Sequence, residues 1–183
     1  MNHWNSAAAH DSLRRPTVLD SAHWRAIAIL LGIGSLSLGV GALVYLTDRP
    51  GWQAPLVPMV PALSGRQWFG ALWPWLPSLM HTLAFSLFSA ALLAPQRLWQ
   101  YGACAFWFAA NAAFEVGQHP QIREPLANAL REGFGQGSIA RSLENFLERG
   151  TFDIADLVAA ALGATLAAGI LRLIHSKEAH HGP

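Results

Sequence analysis

Four apolar runs, at residues 26–46, 72–93, 98–116 and 152–173, alternate with connections that are polar or rich in proline. A helix crossing the roughly 30 Å hydrocarbon core of a bilayer takes about 20 apolar residues, and each run meets or approaches that length. The pattern predicts an all-α polytopic membrane protein. Its four-transmembrane-helix bundle is expected to occupy residues 25–174, between a disordered N-terminal tail at 1–24 and a C-terminal tail at 175–183. The first run follows a polar leader and has no small-residue cleavage site behind it, so it reads as an uncleaved anchor helix rather than a signal peptide.

Small residues inside the runs fit close helix packing. Ser35/Gly39 and Ser37/Gly41 in the first run, and Ala159/Gly163/Ala167 and Ala164/Ala168 in the last, are spaced four apart. That spacing puts them on one helix face, where neighbouring backbones can approach. The first connection carries Pro55, Pro58 and Pro61, three apart as in a polyproline II segment. With Trp52, Trp68, Trp73 and Trp75 it is expected to lie on the membrane surface; an aromatic lid over a substrate is the alternative. The short "APQR" forces a hairpin between runs two and three. In the third connection, Ile122, Leu126, Leu130 and Phe134 form one apolar stripe, and Ile139, Leu143, Phe146 and Leu147 form another. They predict two amphipathic helices in the interface between helices three and four.

Composition strengthens the membrane reading: 52% of residues are hydrophobic, 13% are charged and mean hydropathy is +0.28, too apolar for a soluble domain of 183 residues. A net charge of +1, with no basic run and no Gly-rich phosphate loop, argues against nucleic acid or nucleotide as a partner. The single cysteine, Cys104, has no partner for an internal disulfide and reads as a packing residue. Lys and Arg divide six and six between the two sides. The flank of the first helix, with Arg14, Arg15 and Arg25, breaks the tie toward both termini in the cytoplasm.

The alternation of helices brings the start of run two, the end of run three and the start of run four to one membrane face. There lie His81, Asn111, Glu115, Gln118, Arg149, Asp153 and Asp156. Asn111, Glu115 and Gln118 share a helical face, as do Asp153 and Asp156, so one polar cluster is geometrically allowed. Ionisable groups at membrane depth cost on the order of 3 kcal/mol or more unless paired. The bland readings are a helix cap for Asp153, a bridge from Glu115 to Arg149 or His81, and interhelical hydrogen bonds for Gln118 and Asn111.

These residues resemble the VanZ-like family of integral membrane proteins. The shared pattern is a His near the start of one helix, Glu-x-x-Gln at the end of the next, an Arg, and Asp-x-x-Asp leading into an "LGA" helix. Here it reads "LMHTLAFSLFSAALL" with His81, "FEVGQ" with Glu115 and Gln118, and "RGTFDIADLVAAALGATLAAG" with Arg149, Asp153, Asp156 and Gly163. Ala160 and Ala161 stand where the family shows Asn-Thr, and the connection from Gln118 to Arg149 is longer than the family's. The resemblance implies a multi-pass protein of the bacterial inner membrane in cell-envelope context, with teicoplanin-type resistance as the linked phenotype.

Three functions fit the residues. One is binding of a membrane lipid, or of a lipid-linked or amphipathic envelope ligand, at the cluster of His81, Glu115, Gln118, Arg149, Asp153 and Asp156. Another is an enzyme using a carboxylate or metal-assisted site on an envelope lipid. The third is a small proton-linked transporter, which at four helices would work as a homo-oligomer or within a membrane complex. No nucleophile motif or HExxH zinc site is present, and no cofactor or metal is expected. A haem held by His81 and His119 is weighed and set aside because His119 lies at the membrane edge. The terminal "HSKEAHHGP" reads as a solvated tail.

Overall fold

A computed structural model of the protein describes residues 21–48, 68–134, 137 and 150–180. Five α-helices are found among them, α1 (Ser21–Thr47), α2 (Leu76–Leu92), α3 (Arg97–Gly117), α4 (Pro120–Phe134) and α5 (Ile154–His180), and no strand. The N-terminal tail, most of the proline-rich connection, the second amphipathic stripe and Arg149 lie outside the described residues.

The sequence predicts four spanning helices, and two of them, α1 over His23–Thr47 and α5 over Ile154–Lys177, are long and apolar enough to cross a membrane. Apolar α2 is shorter, at 17 residues. Its start is set by proline and glycine chemistry. A single 3-10 turn at Gly70–Leu72 precedes it, beginning at Gly70 with φ +52°, a conformation a side chain would strain. Pro77 then occupies the first turn of α2, where a missing N–H costs little. At its far end α5 overruns the expected boundary, because residues 175–180 contain no helix breaker before Gly182 and Pro183.

α2 is the central helix and packs on α1, α3 and α5, while α3 also packs on α5. Leu30, Leu87, Cys104, Ala167 and Leu171 meet in the core. The small-residue stripe of α5 forms its seam with α2: Ala159 and Ala167 are buried, and a Cβ on Gly163 would lie 2.5 Å from the Leu79 carbonyl oxygen. In α1 only part of the expected small surface is used this way. Gly41 faces Met80 and His81 and Ser37 is buried, whereas Ser35 is exposed and Gly39 faces open space.

α1 and α3 begin at one end of the bundle, and α2 and α5 begin at the other. The first expected amphipathic helix is present as α4, which packs on the end of α3 and leaves Ile122 exposed. Around the bundle, large apolar side chains face outward in rows. Ile154, Val158, Leu162 and Leu166, each about half exposed or more, recur every fourth residue of α5, and Leu98, Trp99, Phe106 and Phe114 stand out from α3.

Candidate functional site

At the end where α2 and α5 begin, three of the predicted carboxylates gather. Asp153 stands just before α5 and accepts the Ala155 N–H at 2.8 Å through Oδ1, the geometry of an N-cap, which satisfies one of the unpaired amides of the first turn. Its own backbone N–H donates to Glu115 Oε2 at 3.3 Å, joining the end of α3 to the start of α5. Asp156, one turn deeper, accepts from the Ser78 hydroxyl of α2 at 2.7 Å. Asp153 and Asp156 both lie close enough for their charges to act on Glu115. Three helices therefore contribute to one acidic, hydrogen-bonded end, and Glu115 is engaged by a backbone amide; the alternative partner Arg149 lies outside the described residues.

Gln118 is buried beside this group, and Gly150 lies against it so closely that a Cβ there would overlap the Gln118 amide. The glycine is thus required by the approach of the chain leading into α5. His119 turns its ring edge to Phe152, with centroids 5.1 Å apart, at the corner between α3 and α4.

Two predicted residues sit elsewhere. The His81 ring is on the α1 side of α2, stacked near Phe85 and tilted against Tyr45, with centroids 6.1 Å away in each case. Position along a helix is readable from sequence, but rotation about the helix axis depends on which neighbour claims that face. The Asn111 amide donates to the Trp107 carbonyl of its own helix at 2.9 Å, so this bond ties no second helix.

Three features are missing from the sequence reading. Ser78, three residues before His81, supplies the hydroxyl to Asp156. Asp48 follows the last turn of α1, an end where a negative charge opposes the helix dipole. That sign conflict is a sequence signal that a specific partner must exist, and the partners are the Trp68 and Phe69 N–H groups at 3.0 and 2.8 Å. Burial acts to raise the Asp48 pKa, but the Thr47 hydroxyl and the amides of Phe69, Trp68 and Gly70 outweigh it and hold the carboxyl below the usual range. Asp48 thereby pins the segment that leads into α2.

The third is a network at the opposite end. Gln100, buried in α3, donates to the Ala90 carbonyl at 3.0 Å and pairs through Oε1 with His175 Nε2 at 2.8 Å. His175 Nδ1 lies 3.4 Å from the Tyr101 hydroxyl. Donation by the Gln100 amide to Ala90 fixes Oε1 as acceptor, so the His175 Nε2 bears a proton and donates to it. His175, expected in a solvated tail, instead locks α5 to α3.

Among the described residues no group of three or more His, Cys, Asp or Glu side chains is arranged to hold a metal ion. No family model, curated protein or solved structure matches the chain.

Proposed function

We propose that this chain is a VanZ-like, multi-pass protein of the bacterial inner membrane whose acidic end binds a lipid-linked or amphipathic envelope ligand. The observation behind this reading is the convergence of Glu115, Asp153 and Asp156, beside Ser78, at one end of a bundle whose sides are apolar. In water, each exposed row would carry a penalty of about 25 cal/mol per Å² relative to burial, and lipid removes it. On this reading α2 and α3 cross the bilayer alongside α1 and α5.

Lys and Arg divide equally between the two ends, and the basic flank of the first helix, with Arg14, Arg15 and Arg25, tips the positive-inside tendency toward a cytoplasmic end where α1 and α3 begin. The acidic end then faces away from the cytoplasm, toward the envelope. Carboxylates and a serine hydroxyl suit a ligand that presents hydroxyl or amine donors, and Arg149 is available in sequence for an anionic headgroup.

The test is growth under teicoplanin in cells expressing wild type, Glu115→Gln or Asp156→Asn, with membrane levels of each protein measured. The reading expects wild type to confer resistance and both variants to lose it at unchanged protein level. Full resistance in both variants would remove the acidic end from the function, and a wild type without effect would sink the resistance assignment.

A further inference from the structure

The end opposite the acidic cluster contains a small cavity of about 30 Å³, lined by His23 of α1, Arg97 and Gln100 of α3, and His175 of α5. That is room for one or two oxygen-sized groups. The His23 Nε2 is buried and has no hydrogen-bond partner among the described residues. A buried polar nitrogen left without a partner is costly, so a group that supplies one is stabilised at this site.

The surroundings specify the sign of that group. α3 begins here, and Arg97 and Gln100 of its first turn line the cavity, close to the positive end of the helix dipole. The stretches 21–30, 90–101 and 168–180 carry Arg25, Arg97, Arg172 and Lys177 against a single acidic residue, Glu178. Trp24, Trp99 and Tyr101 are exposed around the same end, the amphipathic rings that favour headgroup level.

We propose that this pocket holds a phosphate oxygen of an anionic phospholipid of the adjacent leaflet, with His23 and Arg97 as its polar contacts. The Gln100–His175 pair fixes the wall of the pocket, while the small volume admits the oxygen and leaves the rest of the headgroup at the mouth. The acyl chains then lie along the apolar flank of α3. The assignment rests on the membrane reading above but not on any role of the acidic cluster.

The experiment uses purified full-length protein in neutral detergent, titrated with phosphatidylglycerol or phosphatidylcholine, with retained lipid counted by native mass spectrometry. Wild type is expected to prefer phosphatidylglycerol by about tenfold, a preference that falls severalfold in His23→Ala and Arg97→Ala. Arg172→Ala, a cation of the same end that does not line the cavity, is expected to keep it. Helicity and elution volume of each variant confirm that it is folded, and His23→Gln, which retains a polar side chain, is expected to recover part of the loss. Equal retention of the two lipids by wild type, or an equal loss in Arg172→Ala, would overturn the pocket in favour of no site or of diffuse surface charge. Displacement of the lipid by excess inorganic phosphate would overturn the lipid as the source and assign the pocket to the free ion. Release of the protein from membranes by alkaline carbonate would refute the membrane reading itself, a failure separate from any of these.

Discussion

Gly163→Ala tests the seam on which the acidic end depends. The added Cβ would stand 2.5 Å from the Leu79 carbonyl oxygen, 3.1 Å from Thr82 Cβ and 3.2 Å from the Leu83 nitrogen. Two of these three atoms are backbone, so relief requires α2 and α5 to separate rather than a side chain to rotate. Overpacking of this kind costs about 1–3 kcal/mol. Replacing Gly by Ala in a helix also returns up to about 1 kcal/mol of propensity, which would blur a single measurement. Gly169→Ala in the same helix supplies the correction, because a Cβ there has nothing within 4 Å. The two variants share the propensity gain, and their difference isolates the packing cost at about 1–3 kcal/mol. Reversible unfolding in mixed micelles of increasing SDS fraction, followed by circular dichroism, gives both values. Gly163→Ala should unfold at lower SDS than Gly169→Ala. Coincident curves would mean that α2 and α5 do not meet at Gly163, and the 2.7 Å Ser78–Asp156 bond two turns away would lose its physical basis.

Asp48→Asn removes a charged acceptor from the Trp68 and Phe69 amides and should lower the thermal midpoint at neutral pH. Because the folded pKa is depressed, the Asp48 contribution is fully present above the unfolded carboxylate pKa and is lost as pH falls through the folded value. Wild type should therefore lose more of its midpoint than Asp48→Asn below about pH 4, and parallel pH profiles would contradict the assignment. Gln100→Leu keeps the volume but strips the Ala90 and His175 partners, and should cost about 1–3 kcal/mol in the same SDS titration. An unchanged midpoint would show that the network is dispensable.

The helices were legible because their signal is one-dimensional. Runs at 98–116 and 152–173 gave α3 nearly to the residue and α5 seven residues short at its far end, since the residues after Leu173 turn polar yet lack a helix breaker. The acidic end was legible for a related reason. Residues three and four apart must share a helical face, and alternating helices must return to the same side. Pairing was not legible. Glu115 bonds a backbone amide, Asn111 bonds its own helix and His81 turns to α1, outcomes set by the rotation of each helix against its neighbours. His175 was misread because polarity near a terminus resembles a solvated tail, and nothing local announces that Gln100 waits 75 positions earlier.

The two ends of the bundle differ in a way that bears on what each can do. At the acidic end, the hydrogen bonds lie at helix ends and in the segments that lead into helices: Ser78 to Asp156, the Asp153 amide to Glu115, and the Trp68 and Phe69 amides to Asp48. Asp153 is exposed and Asp156 only partly buried, so a ligand arriving from the surface meets charged oxygens without first unpacking the core. At the basic end the central residue, Gln100, is buried and its bonds hold α2, α3 and α5 together. Opening that end to a large ligand would break the network that defines it. The proposed envelope ligand, of appreciable size, is therefore assigned to the carboxylates, whereas the His23 cavity can take only an oxygen-sized group from a molecule that stays outside. This asymmetry makes the two proposals separable: Glu115 and Asp156 variants should leave the lipid preference intact, and His23 and Arg97 variants should leave the acidic cluster assembled.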